Sequence, residues 1–566
     1  MQTSDWYFIA RECGEPNETG EKQMTAKRGL LYKFMIKRAQ ERKRKAKAAR
    51  KAENIKPKPL TGASSADTFA WKDIQWPCVE SSVRRLQMRI AKAVQEGRHN
   101  KAKALQWLLT HSLAAKLLAV KRVTESRGSK TAGVDGKICQ THKEKVQLAV
   151  SLQRRGYQAQ PLRRVYIPKK NSSTERRPLS IPTIGDRAMQ ALYLQAIEPV
   201  MEVNADQGAY GFRQKRSTAD AIEACFHFLS RKTSAQFILE GDIRKCFDTI
   251  AHQWLRDHVL MDKMVLDQWL SAGYMDKHIL YPTEEGAPQG GVASPCFAVM
   301  ALSGLEQAVK SVVTDRDKVH VIAYADDFVV TGASKEVLEL KVKPAIASFL
   351  RERGLELSET KTKVTHVDDG FDFLGFNVRK YKGKLLVKPA KNNIKYFFLA
   401  NIRKIIKRYG TAKTAELIKF LNPKIIGWGN YYRHVVSKGV FYYVDDCIYR
   451  ALANWVKRRH PDKNATWWRK NYYRSQGSRN WIFTAKDPDN PKRWIDLLKM
   501  YHIPISRHVQ IVGEATPFDA KWYDYFVKRE AKMLKRKGIQ RNMYRLRSGQ
   551  AVKGKFTEQL GQCDWL

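Results

Sequence analysis

In this chain of 566 residues, Lys and Arg outnumber Asp and Glu 103 to 56. The formal net charge of +47 calls for a polyanionic partner. With 43% hydrophobic residues the chain is globular rather than disordered, and its length sets a prior of about four domains. No 18-residue apolar stretch and no signal peptide is present, which argues against a membrane and for a soluble intracellular protein.

In chain order, residues 1–75 read as a leader. A dense basic run from Lys37-Arg38 to Arg50-Lys51 suits a charged helix or a disordered arm; a solvated face explains it as well as RNA contact does. Pro57, Pro59, Gly62 and Ser64-Ser65 then read as a linker. From Ser81, the spacing of Val83, Leu86, Ile90, Ala93 and Val94 predicts a helix. Leu105, Leu108, Leu109, Leu113 and Leu117 predict a second. Turn residues Thr131-Ala132-Gly133-Val134-Asp135-Gly136 interrupt the pattern. Strand-like and loop segments follow to about 380, mixed with helices such as one after Thr218. Residues 390–475 return to helical periodicity with aromatic and basic residues interleaved, and the last ninety residues are basic, aromatic and loop-rich. There is no internal repeat. The eight cysteines stand singly, with no Cys-x-x-Cys pair, so neither a zinc ribbon nor a disulfide framework is expected.

The chemistry concentrates in two apolar strand-like runs that end in acids. One is Ile322-Ala323-Tyr324-Ala325-Asp326-Asp327-Phe328-Val329-Val330, the other Phe237-Ile238-Leu239-Glu240-Gly241-Asp242-Ile243. Carboxylates so placed cost desolvation and mutual repulsion unless cations balance them. Aspartates on two neighbouring strands would hold a pair of Mg²⁺ ions, since hard cations prefer oxygen ligands. Two metals about 3.5–4 Å apart serve in-line phosphoryl displacement, the arrangement that nucleotide polymerisation needs. An isolated Asp-Asp pair is common in solvated turns. What favours catalysis is its agreement with the second acid-ended strand and with the order of the other motifs.

Those motifs begin with residues 131–136, then Arg164-Val165-Tyr166-Ile167-Pro168-Lys169 and Arg176-Arg177-Pro178-Leu179-Ser180-Ile181-Pro182-Thr183. Tyr210-Gly211-Phe212-Arg213 precedes Asp242-Ile243-Arg244-Lys245-Cys246-Phe247-Asp248, and Gly286-Ala287-Pro288-Gln289-Gly290-Gly291-Val292-Ala293-Ser294-Pro295 precedes Tyr324-Ala325-Asp326-Asp327. Gly354-Leu355-Glu356-Leu357-Ser358, Lys361-Thr362-Lys363 and Phe373-Leu374-Gly375-Phe376 complete the series. Over roughly residues 80–530 this ordered set resembles a group II intron reverse transcriptase, or intron maturase.

The resemblance implies an α+β right-hand polymerase: fingers and palm with an antiparallel sheet and helices over 76–380, a helical thumb or maturase X domain over 381–475, and a small C-terminal DNA-binding domain over 476–566. It makes Asp242, Asp326 and Asp327 catalytic, with Asp242, Ile243 and Asp326 as ligands of two Mg²⁺ ions. It assigns nucleotide binding to Lys169, Arg177, Ile243, Phe247, Gln289 and Lys361. Lys169 and Arg177 belong to a basic ribbon suited to gripping a triphosphate, and Phe247 to a gate against the ribose 2′-hydroxyl. Gln289 would face the templating base pair. Lys361 and Lys363 would neutralise phosphate, and residues 373–376 would form the primer grip. Read singly, each has an ordinary alternative: surface lysine, core Phe, glycine turn. Gly427-Trp428-Gly429-Asn430-Tyr431-Tyr432-Arg433 resembles the family's thumb; aromatics at helical spacing are more often core than base-stacking, so none is assigned to RNA. His508-Val509-Gln510-Ile511-Val512-Gly513, Pro517-Phe518-Asp519 and Trp522-Tyr523 resemble the DNA-binding region.

The partners implied are a group II intron RNA, an RNA template with a DNA primer, deoxynucleotides and target DNA, in the cytoplasm of a bacterium and associated with RNA or the nucleoid. Many members continue into an HNH endonuclease with paired cysteines. This chain ends Gly561-Gln562-Cys563-Asp564-Trp565-Leu566, so that module is expected to be absent or truncated. Two rivals stand beside this reading: a purely RNA-binding splicing factor, which the intact aspartates disfavour, and another bacterial reverse transcriptase of CRISPR-associated or defence type.

Overall fold

The computed structural model of the protein describes residues 70–168, 176–277, 279–477 and 479–536. The basic leader, Lys169 and the chain's last thirty residues lie outside the described residues.

Strands form where β-branched and aromatic residues cluster between turn signals. They are β1 (Leu162–Pro168), β2 (Arg176–Ile181), β3 (Phe237–Asp242), β4 (Tyr274–Asp276), β5 (Ile279–Tyr281), β6 (Val321–Tyr324), β7 (Asp327–Gly332), β8 (Lys363–His366), β9 (Phe371–Phe373), β10 (Phe376–Tyr381) and β11 (Lys384–Pro389). Near the chain's end come β12 (Tyr473–Gln476), β13 (Arg479–Asp487) and β14 (Asn490–Asp496). Among the described residues these form four sheets, ordered β2-β1-β4-β5, β6-β7-β3-β8, β11-β10-β9 and β12-β13-β14. In the second, every neighbouring pair is antiparallel.

That central sheet separates two hydrophobic cores, because successive side chains of a strand point to opposite faces. Leu239 of β3 with Phe328 and Val330 of β7 join the first core, which includes the helices Trp76–Gln95, Leu113–Thr124 and Ile184–Asn204. Ile238 with Ile322 and Val329 join the second, made with β9–β11 and the helices Thr414–Tyr432 and Lys438–Arg459. Ile184–Asn204 is buried almost throughout, capped by Thr183, whose hydroxyl accepts from the Asp186 N–H.

Several sequence expectations shift. Apolar spacing placed the first helix at Ser81; it begins at Trp76 with Pro77 in its first turn, where the missing N–H is no loss. The leucine pattern over 105–117 spans two helices, His99–His111 and Leu113–Thr124, broken where Ser112 caps the second. Trp71, inside the expected leader, is buried and meets Trp76 edge-on, so the folded body begins ahead of residue 75. The Ile322–Val330 run is a hairpin rather than one strand. The loop-rich tail contributes β13 and β14 to the β12–β14 sheet and holds the helix Tyr523–Arg536. Its alternation is masked by Arg, Lys and Trp on the solvated face.

Residues 505–536 are tied back to the start of the helix Thr218–Leu229 by a buried ion cluster. Asp220, with no solvent exposure, accepts from His508 Nε2 at 2.9 Å, Arg529 Nη2 at 2.6 Å and the Ile511 N–H at 2.9 Å. Arg216 adds a bond to the Gly513 carbonyl at 2.7 Å. Removing one member of a buried charge set leaves the others uncompensated. We therefore expect Asp220→Ala to cost about 3 kcal/mol or more and to free the tail. Thermal melting with limited proteolysis checks this; an unchanged melting point and protease-resistant residues 505–536 would refute it.

Candidate active site

At the end of β3, Asp242 lies opposite Asp327, the first residue of β7, in the antiparallel register. Asp326 immediately precedes it in the two-residue turn of the β6–β7 hairpin, so three carboxylates share one end of the sheet. The turn is strained: Ala325 holds a left-handed φ of +58°, a region that costs a side-chain-bearing residue energy. Contacts enforce it. Residues 208–211 run alongside β6, with Tyr210 N–H donating to the Ala323 carbonyl at 2.8 Å and Ala323 N–H to the Gly208 carbonyl at 2.9 Å. A Cβ on Gly211 would lie 2.2 Å from the Ala325 nitrogen, so only glycine lets this strap touch the turn. Across the sheet, Gly241 faces Phe328, whose ring fills the space where a Cβ would be.

The electrostatics follow from crowding. Burial, then the neighbouring Asp326 and Asp242, push the Asp327 carboxyl up to about 6, although the residue opens to solvent. Burial, then Asp242, also raises Asp326. The counter-charge is Lys361, whose Nζ donates to Asp242 Oδ2 at 2.9 Å. It is delivered by a turn in which Ser358 N–H bonds the Asp242 carbonyl at 2.8 Å and Lys361 N–H bonds the Ser358 carbonyl. Lys363 lies one step away, paired with Glu240 at 3.3 Å across β3 and β8, and is not at the carboxylates.

Repelling, solvent-accessible carboxylates already compensated by one ammonium fit hard divalent cations. Among the described residues no three His, Cys, Asp or Glu side chains converge closely enough to enclose an ion alone. Oxygens from water or substrate phosphate would complete the shell, as is usual for Mg²⁺. Ile243 has no side-chain donor, so any contribution is its main-chain carbonyl. The Ile243–Leu357 bridge is made by the flanking Asp242 carbonyl and Arg244 N–H, which leaves that carbonyl out of the bridge.

A cleft of about 210 Å³ has walls that include Arg164, Ser180, Phe247, Asp248, Tyr274 and Gln289. Lys245, left-handed at φ +47°, starts the short helix Cys246–Thr249 that carries Phe247. The Phe247 carbonyl accepts from Ala287 N–H at 2.7 Å, and the Gln289 carbonyl from Ser180 N–H at 2.6 Å. The glycine-rich loop is thereby anchored to both walls, and Gln289 reaches Asp248 at 3.5 Å. Arg177 is exposed on β2; its charge lowers Asp248 and Asp326 against the burial that raises both. Lys169 lies outside the described residues. Arg164 and Asp248 were not picked out from the sequence. Arg164 lies over the Tyr274 ring at 3.7 Å, and only the β1–β4 pairing makes them neighbours. The period-two alternation of Arg164 and Tyr166 was the one signal available.

Residues 167–378 match the family of reverse transcriptases (RNA-dependent DNA polymerases), 71–152 the N-terminal domain of reverse transcriptase, and 397–473 the group II intron maturase-specific domain. Protein YkfC of Escherichia coli is 32% identical over 318 residues, covering 47% of this chain and 81% of that protein. The group II intron-encoded protein LtrA of Lactococcus lactis is 26% identical over 412 residues, covering 56% and 68%. The chain belongs to the group II intron reverse transcriptase family. Maturase-like protein 1 of Euglena gracilis is 26% identical over 379 residues, covering 64% of this chain and 78% of that one. A solved telomerase from Candida albicans with a telomeric RNA fragment is 13% identical with a TM-score of 0.35, over 53% of this chain and 55% of that one. The protein is accordingly an RNA-directed DNA polymerase of the intron-splicing class, and its family depends on divalent metal. Asp242, Asp326, Asp327, Phe247, Gln289 and Lys361 all fall inside the first match.

If the carboxylates hold divalent cations, Mg²⁺ or Mn²⁺ stabilises the native chain by about 1.4 kcal/mol at tenfold excess over Kd. Asp242→Asn and Asp326→Asn should lose that rise in melting temperature. An equal rise in both variants would place the ions elsewhere.

Proposed function

We propose that the protein copies RNA into DNA at the end of the central sheet and also grips a group II intron RNA to assist its splicing and mobility. One observation carries this: the β3–β7 register sets Asp242 against Asp327 with Asp326 in the adjoining turn. On this reading the β6-β7-β3-β8 sheet is the palm and the β2-β1-β4-β5 sheet the fingers. The helices over 393–472 are the thumb, and residues from 476 on are the DNA-binding region. Asp242, the Ile243 carbonyl and Asp326 would hold two Mg²⁺ ions, with Asp327 supporting. Such ions supply charge stabilisation for attacking and leaving oxygens.

The chain's own residues do the rest. A primer 3′-hydroxyl attacks the α-phosphorus of a deoxynucleotide and pyrophosphate leaves. Arg177 and Lys169 neutralise the triphosphate, Lys361 balances the carboxylates, and Gln289 faces the new base pair. Phe247 walls the sugar, so that a 2′-hydroxyl collides with its ring. Partners are the intron RNA, an RNA template with DNA primer, deoxynucleotides and target DNA. The maturase-specific match over 397–473 favours the intron class over CRISPR-associated or defence enzymes. Among the described residues no helix is long and apolar enough to cross a membrane. A cytoplasmic, RNA-bound location follows from the partners proposed.

The aromatics of residues 427–433 work inside the protein. Tyr431 and Tyr432 hydroxyls donate to the Leu374 and Gly375 carbonyls at 2.8 and 3.0 Å, clamping the β9–β10 turn to the helix Thr414–Tyr432. RNA grip is left to dispersed Lys and Arg.

Asp326→Ala should lower primer extension by roughly a thousandfold or more, since several kcal/mol of transition-state stabilisation is lost. RNA binding and assisted splicing should persist in the same preparation. Retained extension would defeat the polymerase site; joint loss of RNA binding would mean that the sheet has unfolded. Intron RNA affinity should also fall by roughly a thousandfold between low and moderate salt, as expected for many phosphate contacts. A flat salt response in filter binding would defeat the electrostatic grip.

A further inference from the structure

Phe212 is placed at an energetic cost. Its backbone holds φ +55°, a left-handed conformation that is an outlier for a bulky residue, and the residue is 48% exposed, so little burial of its own offsets that cost. The segment around it is over-determined. Gly211 on one side presses against the turn that carries Asp326. Arg213 on the other is buried, forked onto Glu202 at 2.8 and 2.9 Å, and bonded to the Asp206 and Ala209 carbonyls at 2.6 and 2.9 Å. The ring so held meets Phe247 edge-on, with centroids 6.2 Å apart and planes at 74°. This is the favoured geometry for an aromatic pair.

We infer that Phe212 is a positioning residue for sugar selection, holding the Phe247 ring in the orientation that excludes a ribose 2′-hydroxyl. The inference rests on the reading of Phe247 as the sugar gate. Phe247 is only partly buried, on a four-residue helix, so its own packing leaves the ring room to turn. Phe212 supplies the missing wall. The strap that shapes the Asp326 turn therefore also aligns the gate, which couples the two halves of the site through one rigid segment.

The test is primer extension by the full chain on an RNA template with a DNA primer, comparing kcat/KM for a deoxynucleotide and its ribonucleotide. Phe212→Gly removes the ring while suiting the left-handed backbone, so its melting temperature should not fall. Discrimination against the ribonucleotide should drop about threefold to tenfold, the worth of one aromatic pair, mainly through a lower ribonucleotide KM. Phe212→Tyr should restore it. Phe247→Ala should relax discrimination further, and Phe212→Gly should add nothing to it in the double variant. If Phe247→Ala relaxes selection and Phe212→Gly does not, the positioning role is overturned. If Phe247→Ala itself leaves selection unchanged, the gate reading fails and this inference with it.

Discussion

Repulsion among three carboxylates at one end of a sheet is the constraint around which the rest of the molecule is arranged. Asp242, Asp326 and Asp327 would separate if the chain allowed it, since Asp242 makes Asp326 harder to ionise and both make Asp327 harder to ionise. The backbone does not allow it. Asp242 and Asp327 are fixed by strand register, and Asp326 by a turn whose left-handed Ala325 is held by the strap at residues 208–211. Lys361 offsets part of the charge, and divalent cations suit the remainder. A site held against its own electrostatics can relax only by gaining a counter-charge or a proton, since its backbone is fixed.

Keeping such a site rigid takes support from both faces of the sheet. Leu239 and Phe328 on one face and Ile238 and Val329 on the other belong to separate cores, so neither strand can twist without disturbing both. Gly241 and Gly211 mark where backbone and ring, or backbone and backbone, meet without room for a methyl group. The same economy appears at the β9–β10 turn. Leu374 adopts a positive φ there and is held by the Tyr431 hydroxyl. The β9–β10 turn and the helix that clamps it belong to the second core, beneath the sheet.

The tail is integrated by a buried charge cluster as well as by Ile511, Ala515 and Phe526, which join the second core. Asp220, His508 and Arg529 form a largely buried cluster, and Glu202 takes Arg213 and Arg216 nearby. Buried ion sets are weak sources of stability but strong sources of specificity, because each member is costly without the others. Glu202 anchors the strap through Arg213 while Arg216 reaches the Gly513 carbonyl, so the tail's docking and the Asp326 turn share a foundation.

The cluster of acids was legible in the sequence, because desolvated acids at the ends of apolar runs are costly enough to be conspicuous. Asp242, Asp326 and Asp327 could be chosen on that ground, and the +47 charge named the class of partner. Helices of strong period emerged, but not their ends: the first starts at Trp76 and the leucine pattern over 105–117 spans two helices. Less was visible where function depends on approach between distant segments. Arg164 over Tyr274, Gly211 beneath Ala325 and Phe212 against Phe247 have no local signature, since glycine, arginine and phenylalanine look alike in a turn, a strand or a core. The β12–β14 sheet was hidden because its exposed positions carry Arg, Lys and Trp, which blur alternation. The sequence by itself determined which side chains carry charge and chemistry and in what order. Only the tertiary structure decided which of them meet, because strand register and the close approach of backbones are properties of packing between segments that no local window contains.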